Sequence, residues 1–418
     1  MTHVAFIESN TSGSGFGALQ SARDLGYEVT FVTRDPAYYE TPERPLADLL
    51  AGCDRVVIAD TNDPDALIVA LRRLPALDGV TSFGEYSVHT AALAARALGL
   101  PGPDPAAVAR VRDKSAARAA FAAAGLPNPA YAAVGSLDDA LAAADRIGYP
   151  CVIKPVDRSS STNVRLVTGP DQLTERYRAM TGATRHRRGW ALSSRVLVEE
   201  YLVGPEVSVE TLACAGETLV LGSTSKSLAG GGAFAEVEHI FPTPGLALWE
   251  EASLEQAAVA GLHAVGLDHG PAHTEVRLTA AGPRLVEINA RAGGNRIPDL
   301  IRLASGYDLA AAAVQVAVGV PPPWYDGPVR AAGVRFLVAG TPGVLAGLDG
   351  LDGLAGHPGV VEAGALAAPG ERVRPPVSNG DLVGYVIAVG DHPEPVASLL
   401  AELAGQVRVR VQAEEHAA

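Results

Sequence analysis

Cysteine is scarce in this chain: Cys53, Cys151 and Cys214 are the three thiols among 418 residues. They have neither the spacing of a metal site nor the pattern of a disulfide framework, so buried structural thiols in a reducing compartment are expected. The opening Met1-Thr2-His3-Val4-Ala5-Phe6-Ile7-Glu8 lacks a basic region leading into a secretory apolar core, and no later apolar run approaches a clean membrane span. A soluble cytoplasmic protein with no membrane partner is the expectation. Positive charge is also in deficit, with a formal net charge of -14 and a pI near 5.2. That balance disfavours a nucleic-acid partner, and the local basic patch Arg185, Arg187 and Arg188 does not overturn it. Apolar residues, by contrast, make up 48% of the chain, enough for two to four packed units.

The N-terminal stretch alternates in the manner of a βαβ unit. His3 to Ile7 reads as a strand, Gly17 to Leu25 as a helix, Glu28 to Val32 as a second strand, and Val56-Val57-Ile58 as a third. Ser9-Asn10-Thr11-Ser12-Gly13-Ser14-Gly15 falls at the carboxyl end of the first strand, where open parallel sheets bind ligands. It lacks the full dinucleotide fingerprint and the lysine of a P-loop, so it reads equally as an anion cradle and as a plain βα connection. The Pro/Gly-rich Leu100 to Pro105 closes this unit.

A helical run follows from Ala106 to Ala124, containing Asp113-Lys114. Ser136 reads as the cap of a helix from Leu137 to about Ile147, before the strand Cys151-Val152-Ile153-Lys154-Pro155. After the polar loop Asp157 to Asn163 come strand-like runs at 164–167, 196–202 and 207–212. Helices are expected at about 253–265 and 309–318. From Tyr325 onward, Gly/Pro-punctuated strands, including 333–338 and 382–389, suggest a small terminal α+β unit, with Glu414 to Ala418 as a frayed end.

Between the last two helices lies the most informative stretch. Glu275-Val276-Arg277-Leu278-Thr279 and Leu285-Val286-Glu287-Ile288-Asn289 alternate about a turn at Ala280 to Pro283. Val276, Val286 and Ile288 are expected in a core, with Glu275, Glu287 and Asn289 on the opposite face and Glu275 across from Glu287. Two carboxylates and an amide oxygen suit Mg²⁺, which commonly bridges carboxylates to nucleotide phosphates. Arg291, followed by Gly293-Gly294, offers a cation and exposed amides to those phosphates. Lys154, beside a serine-rich loop, is a candidate phosphate clamp. Glu199-Glu200-Tyr201-Leu202 offers a strand backbone to an adenine edge, and Glu206 a carboxylate to ribose hydroxyls.

In this order the motifs closely resemble the ATP-grasp superfamily, especially its carboxylate-amine ligases of the amino-acid and dipeptide type, over roughly residues 1 to 390. The resemblance implies an α/β and α+β chain divided as an N-terminal parallel-sheet domain (1–100), a small nucleotide-binding lobe (101–190), a large lobe with the metal site (191–323), and a C-terminal α+β unit with its tail (324–418). It implies ATP and Mg²⁺, with Mn²⁺ as a substitute, and phosphate contacts from Lys114 in Arg112-Asp113-Lys114 and from Lys154. Adenine would meet Glu199, Glu200 and Leu202, and ribose Glu206. Glu275, Glu287 and Asn289 match the metal ligands, and Arg291 the arginine that steadies the transferred phosphoryl group or the acyl phosphate. Lys226 and His273 are weaker candidates at the phosphate and acceptor sites. Phe234 to His239 resembles a substrate-covering loop, in which Glu236 would meet an ammonium group. The phosphate-covering loop departs from the family pattern, offering Ser159, Ser160 and Ser161 but no glycine.

The implied reaction joins a small-molecule carboxylate to an amine through an acyl phosphate, releasing ADP and phosphate, with room for a homodimer. Carboxylation with bicarbonate is the runner-up chemistry. A nucleotide-binding regulator without turnover is the alternative of a different class.

Overall fold

A computed structural model describes residues 1–10, 14–40, 46–182, 185–186, 188–230 and 232–413, except for the side chains of 14 and 48–50. Thr11 to Gly13, Arg187 and the expected frayed end from Glu414 lie outside the described residues. Strands β1 (His3–Ile7), β2 (Glu28–Thr33), β3 (Arg55–Ile58) and β4 (Gly79–Thr81) form a parallel sheet in the order β3-β2-β1-β4. The βαβ reading therefore holds, with the intervening helix spanning Ser14–Asp24.

The rest of the chain is built around a larger sheet. Its strands are β5 (Tyr131–Val134), β6 (Cys151–Pro155), β7 (Arg165–Val167), β8 (Val196–Glu200), β9 (Glu206–Cys214), β10 (Glu217–Gly230), β11 (Ala233–Phe241), β12 (Gly270–Thr279) and β13 (Gly282–Asn289). They run in the order β13-β12-β9-β10-β11-β7-β6-β8-β5 among the described residues. Strand β14 (Ala331–Val338) joins this sheet on β11. A short three-stranded sheet pairs β15 (Gly343–Asp349) with β17 (Arg372–Val373) and β19 (Arg408–Gln412), while β16 (Val360–Ala365) and β18 (Leu382–Gly390) extend β14. No helix among the described residues is long and apolar enough to cross a membrane.

Several local expectations are corrected. The run Ala106 to Ala124 is two helices, Pro105–Arg112 and Lys114–Ala123. Asp113 is extended between them, and its carboxylate accepts from the N–H groups of Ser115 and Ala116 at 2.8 and 3.2 Å, so an N-cap wins over helix continuation. The expected substrate loop is strand: Lys226 lies in β10 and Phe234 to His239 in β11, paired with a register shift. Helices Ile297–Ser305 and Pro393–Gln406 were not foreseen. Of the three thiols, Cys151 is buried, whereas Cys53 and Cys214 are half-buried.

The acidic hairpin forms, and Glu275 pairs with Glu287 as expected. Its turn is tighter than Ala280 to Pro283, because Gly282 and Pro283 already pair with Thr279 and Leu278. Proline is tolerated there because β13 ends the sheet, and an edge strand can spare an N–H. Val286 does not enter the core. The register shifts between Glu275–Glu287 and Val276–Leu285, leaving Val286 as the extra residue of a bulge. Leu285 and Ile288 take the core positions, while Val286 faces the cleft. Arg118 supplies a cause, since its guanidinium donates to the carbonyls of both Leu285 (2.9 Å) and Val286 (2.8 Å).

Candidate active site

One cleft is lined by fifteen of the sixteen residues singled out from the sequence: Lys114, Lys154, Ser159, Ser160, Ser161, Glu199, Glu200, Leu202, Glu206, Glu236, His273, Glu275, Glu287, Asn289 and Arg291; the sixteenth, Lys226, is joined to it through Glu236 at 2.6 Å. The start of helix Lys114–Ala123 is tied to the end of β6 by the Lys114 N–H, which donates to the Val156 carbonyl at 2.9 Å. That contact brings the two lysines into one cluster. Lys114 Nζ lies 3.0 Å from Glu287 and donates to the Arg158 carbonyl at 2.6 Å. Lys154 Nζ and Arg118 Nε each lie 2.6 Å from Glu199.

These contacts occupy the side chain of Glu199. Burial would raise its carboxyl pKa, but Arg118 and Lys154 outweigh burial and bring it down to about 2. Glu199 thus holds two cations, and Tyr201 and Leu202, just past β8, line the same cleft. Glu200 also has a structural bond, its carboxylate accepting from the Ala130 N–H at 3.1 Å. Lys154 is under the opposite stress: burial depresses its ammonium pKa, Arg118 and Lys114 add to that, and Glu199 does not offset the three together.

In a second cluster, Lys226 sits among three carboxylates, 2.6 Å from Glu236, 2.6 Å from Glu275 and 3.8 Å from Glu206. Burial alone would lower its pKa, yet these carboxylates push it above the ordinary lysine value. Glu206 also meets Arg277 at 2.7 Å. Burial nevertheless raises the Glu206 carboxyl, with Glu275 and Glu236 opposing the help of Lys226 and Arg277. His273 pairs at 2.5 Å with Glu210, and its pKa rises to about 9 because the carboxylates overcome burial.

Glu236 is not an exposed acid on a loop. Its carboxylate already receives Lys226, Asn295 Nδ2 (2.8 Å) and Asn379 Nδ2 (3.1 Å), with His239 at 3.2 Å. An incoming ammonium would have to displace one of these partners. The serine loop also has an unexpected backbone: Ser160, Ser161 and Asn163 have φ of 56°, 54° and 61°, the left-handed region usually left to glycine. Serine and asparagine occupy the conformation without glycine, at a conformational cost.

Sequence reasoning missed four further contributors. Arg118 was accessible from its position one helical turn after Lys114. Glu85 follows β4 at the carboxyl end of a parallel strand, a position that favours ligand sites. It joins Arg291 and Arg112, which overcome the effect of burial and hold its carboxyl below the usual range. Asn295 and Asn379 carry no local motif, and Asn379 arrives from beyond β17.

The donor chemistry of Glu275, Glu287 and Asn289 fits a hard divalent cation. No group of three or more His, Cys, Asp or Glu side chains converges as a metal site among the described residues. A set of two carboxylates and one amide instead suits an ion that also takes oxygens from nucleotide and water.

Family models match three segments: an ATP-grasp N-terminal domain over 19–102, an ATP-grasp domain over 147–299, and L-amino acid ligase C-terminal domain 2 over 335–412. The chain is 32% identical over 399 residues to the uncharacterized protein y4rH of Sinorhizobium fredii, covering 93% of this chain and 79% of that protein. It is 30% identical over 320 residues to carnosine synthase 1 of Homo sapiens, covering 72% of this chain but 38% of that longer protein. The crystal structure of L-amino acid ligase from Bacillus licheniformis shares the fold, with a TM-score of 0.82 over 99% of both chains at 24% identity. The chain belongs to the ATP-grasp superfamily.

Proposed function

We propose that the protein is an ATP-dependent ligase that forms an amide between a small carboxylate and an amino acid or similar amine, through an acyl phosphate. The observation that carries this reading is the opposite charge imbalance of two side-chain clusters in the cleft. In one, Lys154, Arg118 and Lys114 face Glu199 and Glu287. In the other, Lys226, Arg277 and His273 face Glu206, Glu236, Glu275 and Glu210. The first cluster has a cation in excess and the second a carboxylate. A nucleotide polyphosphate with a divalent cation supplies the missing charge to both.

Glu275, Glu287 and Asn289 would hold Mg²⁺, or Mn²⁺ in its place, which when bound neutralises phosphate charge. Lys114 and Lys154 orient the polyphosphate, and Ser159 to Ser161 cover it with hydroxyls and amides. The substrate carboxylate attacks the γ-phosphorus, and the bond to the bridging oxygen breaks to release ADP. Arg291, held by Glu85, offsets charge on the transferring group. The amine then attacks the acyl carbon, phosphate leaves, and the amine gives up a proton. No protein nucleophile is required; positioning and exclusion of water carry the acceleration. We assign 1–100, 101–190, 191–323 and 324–418 as the working units of this machine. The test is a mass-spectrometric screen of carboxylates and amines with ATP and Mg²⁺. Amide formed in step with ADP supports the ligase, whereas nucleotide binding without turnover across the screen rejects it.

A further inference from the structure

A second cavity adjoins the nucleotide cleft. The two share Ser159, Ser160, Arg291, Gly294 and Asn295, and the second is completed by β1 and β4 ends together with His186, Arg188 and Trp190. It encloses about 200 Å³, against the ~10–15 Å³ that one water needs. Its aromatic wall is a compact ring cluster: Tyr86 lies 4.6 Å from Trp190 and 4.9 Å from His186, with His186 and Trp190 4.9 Å apart.

The charges along this cavity are unequally satisfied. Glu85 is shared by Arg112 and Arg291. The Glu8 carboxylate accepts from Thr33 Oγ1 (2.9 Å), the Arg34 N–H (2.8 Å), Thr61 Oγ1 (2.6 Å) and the Tyr39 hydroxyl. Neither acid is free to receive a cation. Arg188, half-buried, has no carboxylate partner among the described residues; its guanidinium lies over the Tyr39 and Trp190 rings, 4.9 and 5.9 Å from their centroids, and reaches the Tyr39 hydroxyl at 3.4 Å. The indole N–H of Trp190 likewise finds no partner among the described residues.

Arg188 is also held in place from both ends. Its carbonyl accepts from Arg34 Nη1 at 2.6 Å and Asn62 Nδ2 at 3.2 Å, both from the N-terminal unit. Tyr39, against which its side chain packs, is fixed by Glu8, which itself sits at φ 55°. A left-handed non-glycine residue carrying four hydrogen bonds indicates backbone strain held by a purpose-built network. What the network presents is an unpaired cation on aromatic faces.

We propose that this second cavity binds the free carboxylate of the amine-bearing substrate, with Arg188 as its anion-reading group and Glu8 and Tyr39 as positioning residues. The inference rests on the ligase reading above and adds which end of the amine enters and what recognises it. The amino group would lie toward Arg291, at the boundary with the nucleotide cleft, and the carboxylate at the far end. An arginine suits a planar carboxylate, and the Trp190 N–H can add a second donor.

The test offers each protein L-amino acid and its α-carboxamide as the amine, with ATP and Mg²⁺, and compares their kcat/KM by mass spectrometry. The expected result is a preference of about tenfold or more for the free carboxylate, the scale of a charge-assisted contact. Arg188→Gln should collapse that preference mainly through KM of the amino acid, and Trp190→Phe, which keeps a ring, should reduce it by less. Tyr39→Phe should fall between them. Equal use of acid and carboxamide by the unaltered protein, or an undiminished preference in Arg188→Gln, overturns the inference while leaving the ligase reading intact. Absence of amide with every pair overturns the ligase reading, and this inference with it.

Discussion

The two charged clusters of the cleft solve the same problem with opposite signs. Around Lys154 the buried charges are held by one carboxylate shared between two cations; around Lys226 they are held by one cation shared among three carboxylates. Buried ions are costly unless paired, so neither arrangement is a stability device in its own right. Each is better understood as a site whose last partner comes with the ligand. The comparison teaches that charge excess, rather than the number of ion pairs, identifies what each cluster binds.

The sharpest way to break the comparison is Glu287→Ala. It deletes a candidate cation ligand and frees Lys114, so it should make the cleft less able to hold Mg²⁺ and more attractive to an anion. Ligation should fall by more than about a thousandfold, the scale of several kcal/mol of lost charge stabilisation. Metal-free ADP, followed by calorimetry, should bind at least as tightly as before. Near-normal turnover at saturating ATP and Mg²⁺ would reject the metal assignment, and weaker metal-free ADP binding would reject the sign of the charge argument.

Lys226→Met tests the acid-rich cluster through folding. Three buried carboxylates would lose their common partner, and the variant should lose about 3–5 kcal/mol in urea unfolding at neutral pH. Because protonation then relieves the uncompensated charge, the deficit should shrink as pH falls. A deficit under about 1 kcal/mol would be ordinary for an exposed pair and would contradict the burial of this cluster.

Glu199→Gln tests the other cluster, with an effect of roughly 3 kcal/mol from a carboxyl brought from 4.5 to about 2. The folded-state value is depressed, so this stabilisation is fully present above about 4.5 and is lost as pH falls toward about 2. The difference in melting free energy between the two proteins should therefore be flat from pH 7 to 5 and narrow below that. A difference that widens on acidification would mean that Glu199 is not the ionised partner of Lys154 and Arg118.

Local patterns made the cleft legible because its components are short and repetitive. The alternation in β12 and β13 placed Glu275 opposite Glu287, and the strand-end position of Lys154 and the cap at Ser136 needed no long-range information. Val286 escaped the same logic because its bulge is tied to Arg118, which is 168 residues away in the chain. The pair β10 and β11 was misread as a loop because its polar residues look solvated until Lys226, Glu206, Glu236 and Glu275 are seen to neutralise one another across strands. Arg188 is legible locally only as part of a basic patch, because the groups around it come from β1, the Tyr39 turn and the Tyr86 region.

The smallest effect is expected in the serine loop, where Ser160→Gly and Ser160→Ala separate backbone from hydroxyl. Ser160 lies at φ 56°, and its carbonyl accepts from the Asn379 N–H at 3.4 Å. Glycine removes a left-handed penalty of about 1 kcal/mol but adds a similar amount of unfolded-chain entropy, so the stability change should stay within about 1 kcal/mol. Alanine retains the penalty and removes the hydroxyl. If backbone amides make the phosphate contact, both variants should bind ADP within about threefold of the parent, a difference of ~0.6 kcal/mol. A common larger loss would assign binding to the hydroxyl, and a loss confined to glycine would show that the strained backbone itself preorganises the nucleotide site of the cleft.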